Sequence, residues 1–193
     1  MRDPSRFKAK EEQLKRLGVP QTEWNIKNLY KLLRRELKGR VPEAMYPMLD
    51  RGQTIQFGAL GEPFDEMERR TGWALSALPV LAHFKQPVRI STKGGRLINT
   101  DRYLEMFREV RKYVWVNFSI IHPEDDIVKK IELGVPSSTE RFEAMKNLSE
   151  LGVRVGLRYR PIIPQLAYKK INGEPAWKIM VDKAVEAGAT SIS

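Results

Sequence analysis

A chain of 193 residues, 41% hydrophobic and 30% charged, is too apolar for a disordered segment and too polar for a membrane bundle. Thirty-four Lys and Arg against 24 Asp and Glu leave a net charge of +10, which favours anionic partners without choosing among them. Cysteine is absent, which excludes disulfides, a thiol nucleophile, Cys-ligated zinc and an iron–sulfur cluster held by this chain alone.

The pattern predicts a basic helical N-terminal segment over residues 1–51, with helices from Glu11 to Leu17 and from Trp24 to Leu37. In the second, Ile26, Leu29, Tyr30, Leu33 and Leu37 make an apolar stripe, and Lys27, Lys31, Arg34, Arg35 and Lys38 make the outer face. That face reads as solvated or as a phosphate-contacting surface.

From residue 52 to 193 the pattern turns regular. Strands are predicted at Thr54–Phe57, Pro87–Ser91, Val114–Ile121 and Val153–Tyr159, with a fifth starting at Ala189. Between them lie a helix from Glu66 to Phe84, with a bend at Pro79, and a helix capped by Thr100. A further helix opens on the capping box Ser137/Glu140 and ends at Gly152, and another runs from Trp177 to Ala187. Strands alternating with helices predict an α/β fold with a parallel sheet. Neither Gly-x-Gly-x-x-Gly opening a helix nor a P-loop is present, which leaves a partial (β/α) TIM-like barrel with parallel strands, truncated at both ends.

Ligands of parallel α/β folds bind at the carboxyl ends of the strands. There the sequence places Gly61-Glu62 after the first strand, Lys93 after the second, Ser119 in the third and Arg158 in the fourth. These positions converge on one polar pocket for a zwitterion, with Glu62 for its ammonium and Lys93 or Arg158 for its carboxylate. His83 lies in a helix and reads as structural; His122, just after the third strand, is the histidine placed where chemistry can happen.

The stretch Ile55–Pro164 resembles the radical S-adenosylmethionine superfamily, in its spore photoproduct lyase-like (DNA-repair-photolyase-like) group. The likeness runs through Gly58-Ala59-Leu60-Gly61-Glu62-Pro63-Phe64, Glu68-Arg69 and Gln86–Lys93, then Val116–Ile120. It continues through Glu132-Leu133-Gly134-Val135-Pro136-Ser137-Ser138-Thr139-Glu140-Arg141 and closes with Gly156-Leu157-Arg158-Tyr159-Arg160-Pro161-Ile162-Ile163-Pro164. The resemblance implies S-adenosylmethionine and a [4Fe–4S] cluster as cofactors, reductive cleavage of the former, and hydrogen abstraction from a substrate. Gly61 and Glu62 would sit near the cofactor's amino group, and Lys93, Ser119 and Arg158 would line its ribose and carboxylate.

Two departures matter. The group's Cys-x-x-x-Cys-x-x-Cys is absent, and Gly-Glu-Pro stands at residues 61–63 where Thr-Asp-Pro is common. The expectation is therefore a piece of a radical enzyme, inactive alone, with cluster and electron donor belonging to the parent protein and nucleic acid as a candidate partner. The alternative is a non-catalytic nucleic-acid-binding α/β module using the basic helix from Lys27 to Lys38. Neither an apolar run of membrane-spanning length nor a signal-peptide core is present, so a cytoplasmic location without membrane partners is expected.

Overall fold

A computed structural model of the chain describes residues 21–193 apart from 38, 40, 41, 43, 59 and 60. The helix expected at Glu11–Leu17 lies outside the described residues. Four strands, β1 (Ile55–Phe57), β2 (Val88–Thr92), β3 (Val114–Ser119) and β4 (Arg154–Arg158), form one sheet in chain order. All its pairings are parallel, with Ile55 opposite Val88, Val88 opposite Val114, and Trp115 opposite Arg154. Beyond β4 the last residues extend the sheet. Leu157 N–H donates to Ser191 O (2.9 Å), Ser193 N–H to Leu157 O (3.0 Å) and Tyr159 N–H to Ser193 O (2.8 Å). The expected fifth strand is thus a short parallel segment bridged at Ile192, and the architecture is the predicted α/β one.

The two faces of the sheet differ because side chains alternate along each strand. Val88, Ile90, Val114, Val116, Phe118, Val155 and Leu157 are buried beneath helices. The covering helices are α4 (Trp73–His83), α5 (Asp101–Val110), α7 (Ser138–Glu150) and α9 (Ala176–Glu186). They contribute Leu78, Phe107, Leu148 and Met180, each fully buried. On the other face Gln56, Arg89, Trp115, Asn117, Arg154 and Arg158 retain exposure. A parallel sheet with one apolar and one polar face is what a barrel wall presents to its shell and its interior.

Several elements depart from the sequence expectation. The helix expected from Glu66 to Phe84 is two helices, α3 (Glu66–Thr71) and α4, and the break falls at Gly72 (φ 59°) rather than at Pro79. Gly72 takes the left-handed conformation without a Cβ penalty, and Pro79 is accommodated inside α4. The buried Glu68 carboxylate then caps α4, accepting N–H of Ala74 (2.8 Å) and Leu75 (3.1 Å). Tyr103 Oη also donates to Glu68 (2.7 Å); burial, then this bond, raises the phenol pKa.

Helix α1 (Gln21–Leu33) ends before Leu37, with Arg35 at φ 65° just beyond it. It lies on the core through Leu33 and the Tyr30–Phe84 edge contact. Thr100 stands at the N-cap of α5, but its hydroxyl donates to Leu97 O (2.8 Å) instead of accepting from the helix. The capping box at α7 is present: Ser137 Oγ accepts Glu140 N–H (3.2 Å) and Glu140 accepts Ser137 N–H (2.7 Å). Unforeseen elements are short: α2 (Met45–Asp50), α6 (Asp125–Ile131), α8 (Pro164–Ala167) and the hairpin β5 (Lys170–Ile171)–β6 (Glu174–Pro175).

Candidate functional site

Gly61, Glu62, Lys93, Ser119 and Arg158 all line one cavity of about 300 Å³ at the carboxyl ends of β1–β4. Gly58 sets its first wall. It follows β1 at φ 80°, and a Cβ there would lie 2.3 Å from Ser91 O, so only glycine lets the loop lie against β2. Among the described residues no heavy atom lies within 4 Å of a Cβ added at Gly61, which leaves its backbone accessible.

Glu62 is held by backbone. Its Oε1 accepts the Phe64 N–H (3.1 Å) and the Thr92 hydroxyl, and its Oε2 accepts the Lys93 N–H (2.6 Å). Thr92 Oγ1 in turn accepts the Gly94 N–H (2.7 Å), which closes the loop after β2 around the carboxylate. A carboxylate offers about four lone-pair sites, so Glu62 retains room for one cationic donor, on Oε2.

Lys93 differs from the sequence expectation of a cation open to a ligand. Its Nζ lies 2.6 Å from Glu132 Oε1. Glu132 also binds Arg141 Nη1 at 2.7 Å. Arg141 is 0% exposed, and donates besides to Pro136 O (2.9 Å) and Ser119 O (2.8 Å). The sequence contained this pair within a motif but did not mark either residue for the site. A buried arginine four residues into a capped helix is a sign that a buried acid must face it.

Arg158, opposite Ser119 in register, donates to Ser91 Oγ (3.2 Å), which also accepts from Gln56 Nε2 (3.1 Å). Among the described residues no carboxylate pairs with Arg158. The cavity therefore offers a carboxylate with spare acceptor capacity and a guanidinium without a carboxylate partner among the described residues. That arrangement suits an α-amino acid group.

His122 corrects the expectation placed on it. It is fully buried; its Nδ1 accepts Glu124 N–H (3.1 Å) and its carbonyl accepts from Ser138 Oγ (2.6 Å). Burial, the largest influence, holds its pKa below the ordinary value. It ties the end of β3 to the start of α7 and lines no part of the cavity. Just beyond α1, Arg34 lies over Tyr30 (5.6 Å) and Arg35 pairs with Asp50, so two cations of the expected basic face are engaged within the chain. Lys38 lies outside the described residues. No group of three or more His, Cys, Asp or Glu able to hold a metal is found among the described residues.

No protein-family profile matches the chain, and no curated protein matches it in sequence. Solved structures do match its fold. SuiB of Streptococcus suis bound to S-adenosylmethionine aligns with a TM-score of 0.53 and 15% identity, over 79% of this chain and 33% of that one. Spore photoproduct lyase complexed with dinucleoside spore photoproduct aligns with a TM-score of 0.56 and 16% identity, over 75% of this chain and 40% of the lyase. A double mutant of the lyase with bound AdoMet gives 0.54 and 16%, over 74% and 40%. The chain spans a third to two fifths of the length of these proteins and shares their fold. No helix among the described residues is long and apolar enough to cross a membrane.

Proposed function

We propose that the cavity at the carboxyl ends of β1–β4 binds S-adenosylmethionine, and that the chain is the cofactor-holding part of a radical S-adenosylmethionine enzyme. The observation that carries this reading is the pair of Glu62, with an acceptor site to spare, and Arg158, without a carboxylate partner among the described residues, in one cavity. Glu62 binds the ammonium of the methionine part. Arg158 binds its carboxylate, and Ser91 orients the guanidinium. Gly61 lets the ligand approach the backbone, and Ser119 offers a hydroxyl toward the ribose. Lys93 acts as a positioning residue: its N–H holds Glu62 while its ammonium is anchored on Glu132.

Bound beside a reduced [4Fe–4S] cluster, S-adenosylmethionine would supply the radical chemistry, hydrogen abstraction from a substrate. This chain offers no thiolate for such a cluster, so the cluster's ligands and the electron donor are assigned to a longer parent protein. The +10 charge favours an anionic substrate, a class that includes nucleic acid. Competition in ligand-observed NMR tests the amino-acid recognition. S-adenosylhomocysteine, which keeps ammonium and carboxylate, should displace S-adenosylmethionine; 5′-methylthioadenosine, which lacks both, should not. Equal displacement by both would overturn the assignment of Glu62 and Arg158.

A further inference from the structure

The polar face of the sheet carries a second concentration of charge, at the end opposite the cavity above. One cross-strand row runs Gln56–Arg89–Trp115–Arg154 over all four strands. Trp115 is flanked from the strands on either side by guanidinium groups, Arg89 at 4.7 Å and Arg154 at 5.7 Å from its ring centroid. Arg111 and Lys112, at the turn before β3, line the same cavity of about 420 Å³ at the amino ends of the strands. None of these four cations has a carboxylate in ion-pair range among the described residues. The Trp115 indole N–H, buried, also lacks an acceptor among the described residues.

Like charges in one concavity repel, and a concave low-dielectric wall concentrates their field. Cation–π contact with Trp115 eases the repulsion without cancelling charge. A multiply charged anion would cancel it. Guanidinium groups match phosphate oxygens in bidentate geometry. Both flanks of Trp115 already hold guanidinium groups, so the ring is not a stacking platform for a base. Recognition there is of phosphate, independent of sequence.

We infer that the Arg89–Trp115–Arg154 row, with Arg111 and Lys112, is a phosphate-binding site distinct from the proposed cofactor cavity. Its ligand is either a small diphosphate or the phosphodiester backbone of a nucleic acid. The site does not rest on the S-adenosylmethionine reading.

Fluorescence anisotropy of a labelled single-stranded oligonucleotide, with pyrophosphate as competitor, tests it on the full 193-residue chain. Arg89→Gln/Arg154→Gln should weaken binding about tenfold or more. The same change should lower the slope of log affinity against log salt by about 1.4, at roughly 0.7 per lost phosphate contact. Arg89→Lys/Arg154→Lys should recover most of the affinity, because the charge remains. Should the Gln pair melt the fold, Arg111→Gln/Lys112→Gln on the exposed turn should give the same direction of change. Displacement by pyrophosphate supports the site with a small diphosphate as ligand; binding that pyrophosphate does not displace supports it with the nucleic-acid backbone. Absence of binding of either probe by the unaltered chain would overturn the inference. So would an equal loss from Lys31→Ala on α1. S-adenosylmethionine binding should be the same in all these variants, which keeps failure of this site separate from failure of the cofactor site.

Discussion

Lys93 Nζ stands 2.6 Å from Glu132 Oε1, and this pair joins the rim of the candidate site to the fully buried Arg141 behind it. The two ends of the link differ in environment, Lys93 being 42% exposed and Arg141 0%. Removing the acid leaves a buried guanidinium without a counter-charge, whereas removing the lysine leaves an acid still paired. Glu132→Gln should therefore cost about 3–5 kcal/mol of folding stability. Lys93→Met should cost at most about 1 kcal/mol. Urea denaturation of the two variants measures the difference; equal losses would show that Arg141 is not held by Glu132.

Two glycines of the loop after β1 should respond in opposite ways. Gly58 sits at φ 80° with Ser91 O 2.3 Å from any added Cβ, so Gly58→Ala should lose about 2 kcal/mol or more. Gly61→Ala meets nothing within 4 Å among the described residues and should fold within about 0.5 kcal/mol of the parent. It should nonetheless weaken S-adenosylmethionine binding if the ligand lies against that backbone. Thermal melts and an NMR titration, side by side, separate the two effects.

Acid should destabilise the fold through His122. Burial holds its folded pKa below the unfolded value of about 6.5. The unfolded chain then takes the proton first, so stability is unaffected above about pH 6.5 and falls as pH drops below it. His122→Asn, which can still accept the Glu124 N–H, should flatten the dependence of Tm between about pH 7 and 5. The Glu140 carboxyl, held below its usual range chiefly by the hydrogen bond from Arg96, acts with the same sign lower down, below about pH 4.3. Parallel Tm curves for parent and variant would contradict the role given to His122.

The iron–sulfur chemistry has its own check. Reconstitution of this chain with iron and sulfide should yield no cluster absorbance, because no thiolate is present to ligate iron. A stoichiometric cluster would show that other side chains replace cysteine.

What the sequence made legible follows from how local each signal is. Val114-Trp115-Val116-Asn117-Phe118-Ser119 alternates with a period of two, so both its strand and its inward residues could be read directly. Ser137 and Glu140 announce a helix start three residues apart. Glu62, Lys93, Ser119 and Arg158 could be grouped because parallel strands bring their carboxyl ends together. The break at Gly72 was hidden because Pro79, a stronger breaker on paper, lies in the same window. Asn172-Gly173, with φ of 50° and 89°, carried a hairpin signal, but strands of two residues gave it no alternating flanks. The pairing of Lys93 with Glu132 is a tertiary contact across α5, β3 and α6, and no local pattern encodes it.

Glu62 and Arg158 are proposed to grip the two ends of one zwitterion. The most direct measurement is an NMR titration of S-adenosylmethionine into the unaltered chain and into Glu62→Ala, Arg158→Ala and Lys31→Ala. Each charge-assisted bond is worth roughly 1.5–3 kcal/mol. Glu62→Ala and Arg158→Ala should therefore each weaken binding by about tenfold or more, while Lys31→Ala on the exposed face of α1 should leave it unchanged. Binding that is absent from the unaltered chain, or that all three variants reduce equally, would contradict the account.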